Sequence, residues 1–220
     1  MLVEQRSPEW FTMRKGKITS SEVYKIMGES RSKTELLSET AKSYLLEKVA
    51  ESLGGESNSI SNQATEWGTD LEDTAVEVYE ARTSQKVDKC SFITLNDSYG
   101  GSPDGLVGQE GCIEIKCPFS SANHIKYSLI SNDAEFKKVV TNYYYQCMSH
   151  MLVSGAKWCD FISFDPRVDA EYMMFVYRLH RNEEEIENMK AKIEIAVNYI
   201  NEVKSKLPKY YLEPSGEETP

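Results

Sequence analysis

Within residues 101–119, GSPDGLVGQEGCIEIKCPF, an aspartate, a glutamate and a lysine interrupt what otherwise reads as a buried hairpin. Side chains alternate between faces along CIEIKC, so Ile113, Ile115 and Cys117 share one face and Glu114 and Lys116 the other. If the apolar face meets the core, Glu114 and Lys116 stand side by side where the sheet opens to solvent or a cleft. Asp104 lies ten residues before Glu114, beyond Pro103 and beside Gly105, where a bend between paired strands brings the two carboxylates together. An aspartate and a glutamate on adjacent strands form a hard-oxygen cradle suited to Mg²⁺ or Mn²⁺.

A phosphodiester resists hydrolysis because water must attack an anionic phosphorus and an alkoxide must leave. Metal ions answer both problems by lowering the pKa of water and neutralising charge on the transferring oxygens. Lys116 could orient the attacking water or stabilise the developing negative charge. Glu72, on a helical stretch with Trp67 and Gly68, adds a carboxylate if that helix packs at the sheet edge. A plain structural reading also fits: Glu114 and Lys116 decorate a solvated strand, and Asp104 is a turn residue after proline. Spacing leaves both readings open.

The elements that must position these residues are legible in outline. In ITSSEVYKIMG, residues 18–28, Thr19 or Ser20 is placed to cap a short helix that Gly28 ends. Residues 34–53 repeat apolar positions at helical spacing (Leu37, Ala41, Leu45, Val49) before Gly54 and Gly55, and residues 62–81 repeat them at Trp67, Leu71, Ala75 and Val78. From about residue 90 the period changes to that of strands in CSFITL, YGGSPDGLV and GCIEIKCPF, separated by turn residues. Helical patterns follow at 122–130 and 135–154, then strands WCDFISF and YMMFVYRL, then a charged helix over 182–206. Helices, a central mixed sheet and more helices describe one three-layer α/β (α+β) domain over residues 1–212, with 213–220 expected to be a disordered tail.

A chain of 220 residues, 40% hydrophobic, can bury one good-sized core. No apolar run is long enough to span a membrane, and MLVEQRSPEW does not resemble a secretory signal, so a cytoplasmic protein without membrane attachment is expected. The five cysteines are odd in number and form no CxxC pair, which argues against a disulfide framework or an iron-sulfur cluster. The net charge of −10 argues against non-specific adhesion to nucleic acid, but a local basic channel survives inside an acidic total; Arg14, Lys15 and Lys17 gather near the start.

The order Asp, about ten residues, then Glu-x-Lys (SPDG at 102–105 and EIK at 114–116) resembles the PD-(D/E)XK nuclease superfamily with its restriction-endonuclease-like core. Together with MRKGKITSSEV, EWGTDLE, YYYQCMSHM and FISFDPR, it resembles the YqaJ-type viral recombinase nucleases, the family of the phage lambda exonuclease, over residues 8–180. The resemblance implies that Asp104, Glu114 and the carbonyl of Ile115 coordinate two Mg²⁺ ions, with Mn²⁺ as a substitute, and that Lys116 and Glu72 complete the catalytic set. It implies that Arg14, assisted by Ser21, binds the terminal 5′-phosphate and that Gln146 faces the site. A second family glutamine is replaced by Met148. The implied activity is 5′-to-3′ degradation of linear duplex DNA to mononucleotides, leaving 3′ overhangs. A homotrimeric ring and a phage single-strand annealing partner belong to the same expectation. The rivals are an endonuclease using the same cradle and a non-catalytic DNA-end-binding module.

The remaining signals have plain readings. Trp10, Trp67 and Trp158 are expected to be packing residues, although Trp10 is close enough to Arg14 to line the mouth of a site. His124, His150 and His180 lack metal-ligand spacing and are assigned structural or surface roles. Arg167 in FDPR is expected to pair with a carboxylate in a turn.

Overall fold

The computed structural model describes residues 3–56 and 63–209, so the expected tail over 213–220 lies outside the described residues. Helix α1 (Pro8–Arg14) starts where Ser7 Oγ accepts the Trp10 N–H at 3.2 Å, with proline in the first turn. After strand β1 (Ile18–Thr19), helix α2 is only Tyr24–Met27. Thr19 and Ser20 do not cap it, because the Ile18 N–H donates to Ser98 O and the Ser20 N–H to Gly100 O, which keeps this segment in a sheet; the helix begins after Val23 without a side-chain cap. Helix α3 (Glu39–Ser52) begins later than its periodicity suggests, since Ser38 Oγ accepts the Ala41 N–H at 3.2 Å and fixes the start there. Helix α4 covers Gln63–Thr83.

Strands β2 (Val87–Asp88), β3 (Ile93–Asn96), β4 (Tyr99–Gly101), β5 (Gly105–Val107) and β6 (Gly111–Lys116) follow. The run YGGSPDGLV therefore splits: β4 joins a three-stranded sheet ordered β1-β4-β3, and β5 joins the main sheet. Pro103, between them, has no N–H to give to a ladder. Next come α5 (Ser121–Ser128), α6 (Asp133–Val139) and α7 (Thr141–Ser154). The single helix expected over 135–154 is two, broken at Val140 with φ −137° and ψ 55°. Asn132 caps α6 through the Glu135 N–H, and Gly155 ends α7 in the left-handed region at φ 75°. Strands β7 (Trp158–Phe164) and β8 (Met174–His180) and helix α8 (Glu183–Lys206) complete the described chain, the last capped by Asn182 with three glutamates in its first turn.

The main sheet runs β2-β5-β6-β7-β8 and is mixed: β6 and β7 are parallel and the other pairs antiparallel. On one face, Ile113 and Ile115 of β6 pack with Ala75 and Tyr79 of α4. On the other, Cys112 and Phe161 pack with Cys147, Met148 and Met151 of α7, which α3 and α8 cover in turn through Leu45, Ile193 and Ile200. Helices on both faces make β6 a central strand, buried from Gly111 to Ile115. The fold is the expected central mixed sheet flanked by helices. Phe161 lies fully buried between the rings of Tyr127, Phe136 and Tyr143, at 5.9, 5.0 and 5.6 Å, and locks α5, α6 and α7 onto the sheet.

A polar latch fixes the segment that leaves β6. Arg167 grips Asp165 with Nε and a terminal nitrogen, both at 2.8 Å, and donates to the carbonyls of Pro118 and Phe119 at 3.1 and 3.0 Å. Its guanidinium also lies 4.4 Å from the centre of the Trp67 ring, so one residue joins the β7–β8 turn, the end of β6 and α4. Burial would raise the Asp165 carboxyl, but hydrogen bonds from Arg167 and Ser121 hold it at about 2. A carboxyl depressed on folding stabilises the native state above its unfolded pKa and loses that contribution as pH falls through its folded value. Asp165→Asn should cost about 1–2 kcal/mol at pH 7, less than the full shift would give because Arg167 is partly exposed and screened. The gap between wild type and variant in urea unfolding should close as pH falls from about 4 towards 2.

Candidate active site

The β5–β6 hairpin sets Asp104 against Glu114. Gly105 pairs with Ile113, and continuing that register places Asp104 opposite Glu114. Gly105 suits the close approach of the next strand, since a Cβ there would lie 2.2 Å from Val87 Cγ1. Asp104 is clamped at both ends: its N–H donates to Ile113 O at 3.1 Å, and its Oδ2 accepts the Ile115 N–H at 2.6 Å.

Glu114 and Lys116 share a face, as alternation requires, but that face is not open. It is covered by α7, and the neighbouring residue in the parallel register is the buried Phe161, so Glu114 is 1% exposed. Only Lys116, at the end of the strand, reaches partial exposure. Two cations or donors answer the buried carboxylate: the Lys116 ammonium pairs with Oε1, and His150 Nε2 on α7 lies 2.7 Å from Oε2. Burial alone would raise the Glu114 carboxyl, but Lys116 and His150 hold it below its ordinary value. Asp104 goes the other way, pushed well above the usual carboxylate range by burial and then by Glu114 and Glu72. Burial works against the Lys116 ammonium, yet Glu114 and Asp104 keep its pKa above the ordinary value.

Glu72 reaches this cluster from α4. A Cβ on Gly68 would lie 3.9 Å from Cys117 O, so the helix runs close beside the end of β6. Burial, with Glu72 and Asp104 nearby, lifts the Cys117 thiol to about 12. Glu72 is held by Arg6 at 2.6 Å, from a backbone in the left-handed region at φ 67°. Gln5, beside it, donates to the carbonyls of Pro103 and Cys90 at 2.8 and 3.2 Å. The N-terminal segment is thus tied to the loop that carries Asp104.

Arg14 sits in a neighbouring cleft of about 930 Å³. Its guanidinium stacks 4.1 Å from the Trp10 ring centre and lies 3.4 Å from Ser21 Oγ, which is within 3.2 Å of Thr19 Oγ1. Trp10 Nε1 donates to Ser102 Oγ at 3.2 Å, two residues before Asp104, and so couples the cleft to the hairpin. Lys25 and Lys48 in the same cleft are paired with Glu22 and Glu51, whereas Arg14 makes no carboxylate ion pair among the described residues. Gln146 is buried one turn before His150, and among the described residues no hydrogen bond ties it to Asp104, Glu114 or Lys116.

Asp104, Glu114, Lys116 and Glu72 are thus brought together; Arg14 and Ser21 form a second locus joined to the first through Trp10. The residues that sequence reasoning missed are His150, Arg6 and Ser102. Ser102 inside the SPDG block and His150 inside YYYQCMSHM had their positions as a signal in the sequence, whereas Arg6 lay outside every block. The five cysteines are free and buried, Arg178 packs 3.7 Å from the Trp158 ring centre, and no helix among the described residues is long and apolar enough to cross a membrane.

The donor set suits a divalent cation. Glu114 Oε1 is buried, makes no hydrogen bond among the described residues and is approached by the Lys116 ammonium, while burial, and then Glu114 and Glu72, raise the Asp104 carboxyl. Among the described residues no group of three or more His, Cys, Asp and Glu side chains gathers at ligating geometry. Mg²⁺ ordinarily takes one or two carboxylates and completes its shell with water and substrate phosphate, so a pair of carboxylates is sufficient.

Residues 9–157, about two thirds of the chain, match the model of the YqaJ-like viral recombinase domain. The chain belongs to this family. The solved structures similar to this YqaJ-like chain include an alkaline exonuclease (LHK-Exo) from Laribacter hongkongensis, with 29% identity, a TM-score of 0.76, and 91% of this chain and 97% of that one covered. The same enzyme in complex with dAMP aligns at 32% identity and a TM-score of 0.73 over the same shares. A phage related exonuclease from Haemophilus somnus 129PT, at 22% identity and a TM-score of 0.73 over 86% of this chain and 96% of that one, shares the fold. No curated protein matches the chain.

The raised carboxyl of Asp104 yields a directional test of this YqaJ-like site. A carboxyl whose folded pKa is raised destabilises the native state when ionised, so the contribution of Asp104 to stability should fall as pH rises above about 4. Asp104→Asn keeps an acceptor for the Ile115 N–H and removes the charge. In chelator-treated protein at pH 7 it should unfold at a higher temperature than wild type and show a flatter pH dependence; a lower Tm would contradict the arrangement.

Proposed function

We propose that the chain is a metal-dependent deoxyribonuclease of the lambda-exonuclease type, with a PD-(D/E)XK core spanning residues 1–212. It degrades the 5′ strand of linear duplex DNA from a phosphorylated end, releases 5′-mononucleotides and leaves 3′ overhangs for recombination by strand annealing. The observation that carries this reading is the convergence of Asp104, Glu114 and Lys116 on one hairpin, in a chain of the YqaJ-like family. The similarity to proteins named as exonucleases supports it, and dAMP, held by a relative 32% identical, belongs to the class of product expected.

Asp104, Glu114 and the carbonyl of Ile115 would hold Mg²⁺, two ions per site, with Mn²⁺ able to replace it. Divalent ions bound there would supply charge neutralisation at the phosphate and a lower pKa for water. The chain's own groups do the rest. Lys116 places a cation beside the reacting phosphate, where charge grows in the transition state. Glu72, oriented by Arg6, accepts a hydrogen bond from the attacking water. Arg14, desolvated against Trp10 and without a carboxylate partner among the described residues, binds the terminal 5′-phosphate with Ser21 as a second donor. Gln146 faces the scissile strand from α7. The working form is a homotrimeric ring around DNA in the cytoplasm, partnered by a phage single-strand annealing protein.

The test follows Mg²⁺-dependent loss of linear duplexes labelled separately on each strand, with and without 5′-phosphate, beside closed circular DNA. Mononucleotides should come from the phosphorylated 5′ strand while the circle stays whole; cutting of the circle would assign an endonuclease instead. Duplex-end binding with no Mg²⁺-dependent loss would assign a binding module. Asp104→Asn should lower the rate at least about a hundredfold. Arg14→Ala should erase the advantage of a 5′-phosphorylated end, at a cost of about 1.5–3 kcal/mol in kcat/KM for the lost charged hydrogen bond, and leave the slower action on a 5′-hydroxyl end nearly unchanged.

A further inference from the structure

The two buried histidines are built differently. His124, fully buried on α5, has both ring nitrogens engaged, Nδ1 with Ser163 Oγ and Nε2 with Tyr172 O, each at 2.8 Å. That is how a structural core histidine satisfies its polar atoms. His150, 1% exposed on α7, has one contact of this kind, Nε2 to Glu114 Oε2 at 2.7 Å, and its Nδ1 is buried with no hydrogen-bond partner among the described residues. A buried nitrogen left unsatisfied destabilises the folded state. A side chain retained only for packing would be better apolar at a position this buried.

The contact is fixed from the helix side. Tyr143, two turns before His150 on α7, has its ring 5.1 Å from the Lys116 ammonium, so the same helix meets both members of the Glu114–Lys116 pair. The two groups that hold Glu114 differ in stiffness. Lys116 reaches Oε1 on a flexible stem whose side chain is 26% exposed, and it also lies within electrostatic reach of Asp104. His150 is a planar ring seated in the core, with two side-chain torsions set by packing.

We propose that His150 is a positioning residue for the cation site: its Nε2–H holds Glu114 Oε2 and thereby turns Oε1 toward the ion. An outer hydrogen bond of this kind orients a metal-ligating carboxylate and contributes about ten- to a hundredfold in metal affinity. The proposal rests on the reading of Asp104 and Glu114 as cation ligands.

The test measures Mn²⁺ binding to the full chain without DNA, by the loss of the free-ion electron paramagnetic resonance signal, with thermal unfolding in parallel. His150→Leu should weaken Mn²⁺ binding about tenfold or more. His150→Gln, whose amide nitrogen reaches the place of Nε2, should restore most of it, and excess Mn²⁺ should recover much of the hydrolysis rate lost in His150→Leu. If His150→Leu fails to fold, His150→Asn, whose amide stops at the place of Nδ1, replaces it with the same expectation. A lower Tm with unchanged Mn²⁺ affinity would overturn the proposal and leave His150 a packing residue. Wild-type protein whose Mn²⁺ binding is absent, or is untouched by Asp104→Asn, would instead sink the cation-site reading and this proposal with it.

Discussion

The structure turns on a carboxylate buried in the middle of a sheet. Glu114 is 1% exposed on β6, with strands on either side and helices above and below. An isolated ionised carboxylate in such a place would cost many kcal/mol, and it persists only because Lys116 and His150 meet its two oxygens. Asp104 opposite it adds a second carboxylate that the same ammonium serves incompletely, which is why burial and neighbouring charge push its pKa up. The cluster therefore sets carboxylates closer together than its one buried ammonium can serve, and a proton on Asp104 or a cation between the carboxylates would relieve it.

The surrounding elements hold this arrangement in place. Helix α4 packs Ala75 and Tyr79 on the apolar face of β6 and brings Glu72 to its end, while α7 seals the polar face and supplies His150. Arg167 ties the residues just beyond β6 to the β7–β8 turn and to Trp67. At the other end of the chain, Gln5, Arg6 and Trp10 bind Pro103, Glu72 and Ser102, so that the segment leading to Arg14 is anchored on both carboxylate-bearing elements. A phosphate held at Arg14 and a phosphodiester at Asp104 and Glu114 would therefore sit on one connected frame, which is what a fixed step along a strand requires.

The elements with strong periodicity were legible: the strand expected over 158–164 is β7, and the charged helix over 182–206 is α8 to within a residue. One error fell where tertiary hydrogen bonds overrode a local signal. Thr19 and Ser20 have the composition of a helix cap, but pairing with β4 took their backbone. The pattern over 135–154 continues through Val140, but the chain breaks there between two separately started helices. At the site, Asp104, Glu114 and Lys116 were readable because strand alternation and a short connection constrain them to one another. His150 was not, because its partner lies 36 residues away on another element and a single histidine on an apolar helix carries no spacing signal.

By itself the sequence determined which residues could do chemistry together: the hairpin carrying Asp104, Glu114 and Lys116, the helix carrying Glu72 and the early segment carrying Arg14. The hairpin set follows from strand alternation and a short connection, whereas Glu72 and Arg14 take their roles from the resemblance of their motifs to the YqaJ-type nucleases. Only the tertiary structure decided the environment of that chemistry. It closed α7 over the face that alternation alone would leave open, matched Glu114 to His150 and Glu72 to Arg6, and set Trp10 between Arg14 and Ser102. The physical reason is that burial and pairing are properties of what packs against a strand, and no local stretch of chain carries that information.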